Sequence, residues 1–377
     1  MKIKSITYVA LFCMMGAAAC SSNASKTAAD STATDSNATT TDTAKSVALT
    51  PKGPAPTWAP DIKPEMAVVI EKLASYGDKP IPQLTAVEAR KNHTPTDAVI
   101  DVMKENNIPK PVFNIDTMGK DIPVDGGNIH LRVYTPKTGK AAYPVIVYYH
   151  GGGFVIANLD VYDASANVLA DKTDAIVVSV AYRLAPEHKF PTAHNDAFAA
   201  YKWVLANAAS MKGDPKKVAV AGESAGGNLA INTAIKARDS KIMVPTAIVA
   251  VYPVAGSDMS TASYVKNAAA KPLDKPMMMW FVKNYLNSMA EGKDPRINLI
   301  AANLKGLPAT TVITDEIDPL QSEGMTLVEK LKAAGVTVDS KNWDGVTHEF
   351  FGMGAVVPQA KEAEMYAVDQ LKKAFGM

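Results

Sequence analysis

The chain has 377 residues, of which 47% are hydrophobic and 20% charged, and its formal net charge is +1. This length and apolar content suit one large domain or two small ones with a sizeable core. Because basic blocks and aromatic residues interleaved with basic ones are absent from the sequence, we expect no nucleic-acid partner.

The first residues have the pattern of an export signal. Lys2 and Lys4 precede an uncharged, largely apolar run at 6–19, which is too short to span a bilayer and ends in small residues. Cys20 follows directly, and the whole resembles a bacterial lipoprotein signal that is cut before a cysteine that is then diacylated. This resemblance implies an exported protein, anchored at the cell envelope through Cys20. Ser21 resembles the sorting residue of outer-membrane lipoproteins; the alternative is an ordinary secretory peptide in which Cys20 is incidental.

Residues 20–60 are predicted to form a disordered tether. Ser, Thr, Ala, Asp and Asn dominate as far as Thr50, and proline is frequent afterwards. Such a composition buries too little apolar surface to offset the entropy of ordering the chain. We therefore expect the globular domain to cover 61–377.

The globular part alternates between helical and strand patterns. The continuous apolar run at 175–180 indicates a strand covered on both faces. Other strands are predicted at 128–134, 144–149, 217–221, 247–252, 309–314 and 336–341. Helices are predicted at 65–73, 85–92, 96–106, 162–171, 196–207, 229–238, 323–334 and 359–375. This alternation predicts an α/β fold with a mainly parallel central sheet flanked by helices.

The segment Gly222-Glu223-Ser224-Ala225-Gly226-Gly227 lies between a predicted strand and a predicted helix. A strand that turns into a helix through Gly-x-Ser-x-Gly is a nucleophile elbow, which exposes the serine hydroxyl above the sheet. A β-carbon at Gly222 or Gly226 would collide with the neighbouring strand or helix. The alternative is a glycine-rich turn without chemistry, so the case for Ser224 as nucleophile depends on its partners.

A serine nucleophile needs a base and an acid that orients the base. His348 is the only histidine downstream of Ser224 and lies between the last predicted strand and the last helix. Two aspartates follow the preceding strand, Asp315 and Asp318. Asp318 precedes Pro319, which suits the first turn of a helix, and this favours Asp318 in the loop as the acid. Asp315 competes for this role; the other interpretation of Asp315 is a structural cap or turn residue.

The developing oxyanion needs hydrogen-bond donors. The amide of Ala225, directly after the nucleophile, is one candidate. The other is the segment His150-Gly151-Gly152-Gly153-Phe154, which follows a strand and in which glycines let the backbone approach a carbonyl. The alternatives are a flexible turn or a phosphate loop, but the Gly-Lys-Ser/Thr of a phosphate loop is missing.

These motifs together resemble the hormone-sensitive-lipase-like family of α/β-hydrolases, the bacterial family IV esterases. The quoted segments are His150–Phe154, Tyr182-Arg183-Leu184-Ala185-Pro186-Glu187-His188, Gly222–Gly227, Asp318-Pro319-Leu320 and His348-Glu349-Phe350. The resemblance implies an α/β-hydrolase fold and assigns Ser224, Asp318 and His348 to a catalytic triad. It implies oxyanion amides at Gly152 and Gly153, and structural roles for His150 and His188.

The resemblance also implies a helical cap, for which 61–115 and 256–304 are the matching pieces. The segment Met277-Met278-Met279-Trp280-Phe281 could be an adaptable acyl-binding wall or the buried face of a cap helix. Glu223 stands where the family more often has Asp, and no role is predicted for it.

The implied activity is hydrolysis of short- to medium-chain carboxylic esters through an acyl-enzyme on Ser224. An amidase or formamidase with the same triad is the alternative. The ester is a small molecule, no metal or organic cofactor is expected, and the membrane is contacted through the lipid anchor. The sequence does not predict the oligomeric state.

Overall fold

The structure, a computed structural model, describes residues 48–377. Its centre is an eight-stranded sheet in the order β1-β2-β4-β3-β5-β6-β7-β8. The strands are β1 (Ile115–Val124), β2 (Gly127–Pro136), β3 (Tyr143–Tyr149), β4 (Ile176–Ala181), β5 (Gly213–Glu223), β6 (Ile248–Val251), β7 (Thr310–Ile317) and β8 (Val338–Thr347). Strands β1 and β2 pair antiparallel, β2 runs antiparallel to β4, and the remaining neighbours are parallel. The predicted α/β-hydrolase architecture, with a mainly parallel sheet, is confirmed.

The helices cover both faces of this sheet. They are α1 (Pro64–Ser75), α2 (Ala86–Ala89), α3 (Pro95–Glu105), α4 (Asp163–Thr173), α5 (Thr192–Asn207), α6 (Ala225–Asp239), α7 (Ala262–Lys266), α8 (Lys275–Tyr285), α9 (Gln321–Ala333) and α10 (Pro358–Phe375). Alternate residues of β3 enter opposite cores: Val145 and Val147 join the apolar side chains of α5, α6 and α9. Ile146 and Tyr148 join those of α1, α4 and α10 on the other face. Because both faces are covered, all seven residues of β3 are buried.

Strand β1 was not predicted. Nearly all of its residues are exposed or half-buried, so it lacks the apolar alternation by which a strand is recognised. It pairs with β2 along its whole length across a tight turn at Asp125 and Gly126. An Asp-Gly pair is a strong hairpin signal, and it is the feature of the sequence that could have revealed this strand.

The packed part of the chain begins before 61, where the domain was predicted to start. Leu49 and Ala59 are buried in the core that contains α1. The amides of Lys52 and Gly53 both donate to the carboxylate of Glu71, at 2.8 Å each. The tether prediction is therefore wrong for 49–60, because a few apolar side chains and one carboxylate suffice to hold a proline-rich segment.

The predicted signal peptide, Cys20 and the tether as far as 47 lie outside the described residues. Within 48–377, no helix combines the length and the apolar character needed to cross a membrane.

Both predicted cap pieces contain helices. The first, 61–115, contains α1, α2 and α3, and the second, 256–304, contains α7 and α8. We call α1–α3 and α7–α8 the N-terminal and inserted helical segments. The indole of Trp280 on α8 donates to the carbonyl of Leu84 at 2.9 Å, so the two segments are joined directly.

Candidate active site

Ser224 occupies a sharp turn between β5 and α6. Its backbone is in the left-handed region at φ 56°, which is unusual for a residue with a side chain. The turn is held by the Ser224 amide, which donates to Val251 on β6 at 2.8 Å. A β-carbon built on Gly226 would lie 1.9 Å from the carbonyl oxygen of Tyr149, and one on Gly222 would lie 2.3 Å from the carbonyl oxygen of Gly226. The collisions expected at both glycines are confirmed, and they explain why only glycine fits there.

The structure brings the three predicted triad side chains into one hydrogen-bonded line. The Nε2 atom of His348 lies 3.0 Å from Ser224 Oγ, and Nδ1 lies 2.7 Å from Asp318 Oδ2. All three side chains are buried. A hydroxyl, an imidazole and a carboxylate in this order can move a proton from serine to histidine while the carboxylate fixes the imidazole tautomer.

Asp318 and His348 meet because they follow adjacent parallel strands. Asp318 comes directly after β7 and His348 directly after β8, so both lie at the same edge of the sheet. The second oxygen of Asp318 accepts the amide of Leu320 at 2.8 Å, which fixes the carboxylate at the start of α9. The loop position predicted for Asp318 is what allows this contact.

Asp315, the competing aspartate, is fully buried beside Asp318. Among residues 48–377, no group hydrogen-bonds to either of its carboxyl oxygens. Burial, together with the charge of Asp318, raises the pKa of Asp315 well above its usual range. Burial and the neighbouring negative charge both favour the protonated form of Asp315.

The charge of Asp318 also acts on the base. Burial lowers the pKa of His348, but the charge and hydrogen bond of Asp318 outweigh it, and the pKa lies above its ordinary value. Asp315, Asp318 and His348 are also close enough to be considered metal ligands. Both nitrogens of His348 are already engaged by Asp318 and Ser224, however, and this favours a proton relay over a metal site.

Gly152, Gly153 and Ala225, the three residues predicted to supply oxyanion amides, are all buried. Gly152 and Gly153 have positive φ angles of 92° and 58°, and both line the cavity that contains Ser224 and His348. Ala225 is the first residue of α6. Among the hydrogen bonds of 48–377, none has the amide of Gly152, Gly153 or Ala225 as donor to a group outside its own helix. Free, buried N–H groups at this position can donate to an oxyanion.

The two histidines for which structural roles were implied, His150 and His188, lie in different surroundings. The ring of His150 stacks on Tyr182 with the ring centroids 4.3 Å apart, and its Nδ1 lies 2.8 Å from the carbonyl of Gly151. His188 is exposed and is not among the residues that line the cavity.

Two carboxyl groups near the triad had no predicted role. Glu223 is fully buried and accepts hydrogen bonds from Tyr148 and Tyr252, and burial raises its pKa to about 8. Glu349 accepts the hydroxyl of Tyr162 at 2.7 Å. Glu223 and Glu349 adjoin Ser224 and His348 in the sequence, but no pattern in the sequence indicates the tyrosines that hydrogen-bond to them.

A cavity of about 970 Å³ opens onto Ser224 and His348, and both helical segments contribute to its walls. Met277, Met278 and Phe281 of α8 line it, so this helix faces the reaction centre. Met278 and Phe281 are also buried in the core, whereas Met279 is largely exposed. Both interpretations of the methionine-rich segment therefore describe part of α8: it is a wall of the cavity and a buried packing face.

The fold and the site define a hydrolase with a serine at the turn after the fifth strand. In agreement, the model of a family described as having the alpha/beta hydrolase fold matches residues 146–352. The chain is similar to the carboxylesterase NlhH of Mycobacterium tuberculosis, with 35% identity over 84% of this chain and 97% of the relative. It is also similar to an ethyl acetate hydrolase of Pseudomonas putida, with 30% identity over 83% of this chain and 98% of that protein.

The chain is also similar to esterases of known structure. An esterase of Pyrobaculum calidifontis is 35% identical with a TM-score of 0.73, and the match covers 80% of this chain and 97% of that one. A thermostable esterase from Pseudomonas putida is 32% identical with a TM-score of 0.76, covering 84% and 98%. The chain belongs to the α/β-hydrolase family, and within it to the hormone-sensitive-lipase-like esterases.

Proposed function

We propose that this carboxylic ester hydrolase works by acyl transfer through Ser224, with His348 as general base and Asp318 as the acid that orients it. The observation that carries the proposal is the unbroken line from Ser224 Oγ to His348 Nε2 at 3.0 Å and from His348 Nδ1 to Asp318 at 2.7 Å. The order of the three residues along the chain is that of an α/β-hydrolase.

The mechanism proceeds in two half-reactions. Ser224 Oγ attacks the ester carbonyl carbon while His348 Nε2 takes its proton, and Asp318 stabilises the imidazolium that forms. The carbonyl oxygen becomes an oxyanion that accepts from the amides of Gly152, Gly153 and Ala225. The tetrahedral intermediate collapses, and the alcohol leaves with the proton from His348. Water then attacks the acyl-enzyme through the same base, which releases the acid and regenerates Ser224.

The substrates we propose are small carboxylic esters with short to medium acyl chains. A cavity of about 970 Å³ with Met277, Met278 and Phe281 in its wall offers apolar surface for such a chain. The relatives named as a carboxylesterase and an ethyl acetate hydrolase match over nearly their whole length. The alternative, an amidase or formamidase, gains no support from these relatives.

The proposal is tested by comparing the purified enzyme with its Ser224→Ala variant on p-nitrophenyl butyrate and on a butyryl anilide. We expect the wild type to hydrolyse the ester far faster than the anilide. We expect the variant to lose about 10⁴-fold or more of the ester activity, with an unchanged melting temperature. Retained activity in a folded Ser224→Ala variant would remove Ser224 from the mechanism, and equal rates on the anilide would favour the amidase alternative.

We further propose that the enzyme is exported and lipid-anchored at the cell envelope through Cys20, with Ser21 favouring the outer membrane. The support is the order of charged, apolar and small residues before Cys20. Wild type and Cys20→Ala are compared in membrane fractions and by labelling with radioactive palmitate. The variant should lose the label and leave the membrane fraction; a label equal to that of the wild type would contradict lipidation of Cys20.

A further inference from the structure

Glu349 lies beside the reaction centre without a role in the mechanism above. It lines the same cavity as Ser224 and His348, and its Oε1 atom is 3.9 Å from His348 Nε2. The Tyr162 hydroxyl lies 2.7 Å from each of its two oxygens. The carboxyl group is thus fixed close to the nitrogen that carries the proton during catalysis.

The backbone at Glu349 is strained. Its φ is 72°, in the left-handed region that favours glycine. The Tyr162 phenol that hydrogen-bonds to Glu349 is itself closely packed, because a β-carbon on Gly151 would lie 2.2 Å from the Tyr162 oxygen. A strained residue with a side chain at an active site indicates that the side chain is used there.

The distance between Glu349 and His348 suits a water molecule. At 3.9 Å the carboxylate is too far from Nε2 for a direct hydrogen bond, whereas a water placed about 2.8 Å from both atoms fits between them. Once Ser224 carries an acyl group, Nε2 no longer accepts from its hydroxyl. A water that donates one hydrogen to Nε2 and the other to Glu349 would then lie next to the acyl carbonyl.

We propose that Glu349, held by Tyr162, is a positioning residue for the water that hydrolyses the acyl-enzyme. The inference rests on the acyl-enzyme mechanism proposed above. In this step the water oxygen forms a bond to the acyl carbon and His348 takes one of its protons. The Ser224 Oγ–carbon bond then breaks and the proton passes to Oγ, while Glu349 keeps accepting the second hydrogen and is not itself protonated.

This role discriminates between acyl acceptors. Water has two hydrogens, one for His348 and one for Glu349, whereas an alcohol has a single hydroxyl hydrogen and must give it to His348. Glu349 therefore favours hydrolysis over transfer of the acyl group to an alcohol. A residue that merely supports the fold would not change this preference.

The experiment measures partitioning of the acyl-enzyme. Wild type, Glu349→Gly, Glu349→Gln and Tyr162→Phe are given p-nitrophenyl butyrate in buffer with methanol, and the ratio of methyl butyrate to butyric acid is determined. Both products arise from one intermediate, so the ratio does not depend on which half-reaction limits the rate. Glu349→Gly removes the carboxylate and relieves the backbone strain, which protects the fold.

We expect the methyl ester to gain about tenfold in Glu349→Gly, the rate equivalent of one hydrogen bond to a charged group. Glu349→Gln retains an acceptor oxygen and should stay within about threefold of wild type, with Tyr162→Phe between the two. A wild-type ratio in folded Glu349→Gly overturns the role of Glu349, even where its overall rate has fallen. The proposed function would fail differently: no butyryl mass would appear on Ser224 of the wild type.

Discussion

Two regions of the molecule differ in how they pack: the edge of the sheet with Ser224, Asp318 and His348, and the helical segments that line the cavity. At the edge, backbone atoms approach so closely that a β-carbon on Gly226 would lie 1.9 Å from a carbonyl oxygen. In the helical segments, contacts are made by apolar side chains, and some of these, Val87, Ile100 and Met279, remain more than two-fifths exposed. One region depends on close backbone contact, and the other on apolar burial.

This difference in packing suggests different roles: the edge of the sheet carries the chemistry, and the helical segments determine substrate selectivity. Close-packed backbone tolerates few substitutions, because any added atom must displace a neighbour. Burial of apolar surface is not directional, and it accepts many side chains of about the right size. We therefore expect substitutions at the edge of the sheet to abolish the reaction or the fold, and substitutions in the helical segments to change which ester is preferred.

The sharpest test within the edge compares its two aspartates. Asp318→Asn should lower kcat/KM by about 10⁴-fold, because an amide no longer fixes the productive tautomer of His348. Asp315→Asn should stay within about tenfold of wild type, since the raised pKa of Asp315 favours its neutral form and neither of its oxygens hydrogen-bonds to His348. Steady-state kinetics on p-nitrophenyl butyrate measure both.

The two variants control for each other, because each exchanges one buried carboxyl for an amide of the same shape. Their melting temperatures show whether a loss of rate reflects unfolding. A larger loss for Asp315→Asn than for Asp318→Asn would transfer the role of the triad acid to Asp315.

The sequence was most informative where close contact restricts the residue type. Gly222 and Gly226 could be assigned because only glycine fits, and Asp318 could be preferred to Asp315 because the following proline places it in a loop. Strand β1 was missed because its side chains are mostly exposed and carry no pattern. The pairing of Glu223 with Tyr148 and Tyr252 could not be predicted, since it joins three strands far apart in sequence.

A second test compares the stability cost of a glycine-to-alanine substitution at one position in each region. Gly226→Ala should destabilise the protein by more than about 3 kcal/mol, because the new β-carbon cannot avoid the backbone of Tyr149. Gly77, which follows α1, also has a positive φ, but nothing lies within 4 Å of its added β-carbon. Gly77→Ala should cost only about 1 kcal/mol, from backbone strain alone.

Urea denaturation followed by circular dichroism gives both free energies of unfolding. If Gly226→Ala is expressed in insoluble form while Gly77→Ala is soluble, this result would also indicate a larger loss of stability at Gly226. Equal losses in two soluble variants would show that the edge of the sheet relaxes as easily as the helical segments, and the contrast between the regions would fail.

The smallest expected effect concerns the cavity wall. The ring of Phe281 lies against Gly153, since a β-carbon on Gly153 would be 2.3 Å from ring atoms of Phe281. Phe281→Ala removes six ring carbons beside Gly153, and we expect about two of the four extra methylenes of an octanoyl chain to be buried in this space. Because each buried methylene contributes about 0.8 kcal/mol, kcat/KM for the octanoate ester should rise about tenfold relative to the butyrate ester. Met279→Ala, on the exposed side of the same helix, should leave this ratio unchanged. If Phe281→Ala lowers kcat/KM equally for both esters, the ring only supports the backbone at Gly153. Selectivity for acyl-chain length would then have to depend on other residues of the cavity.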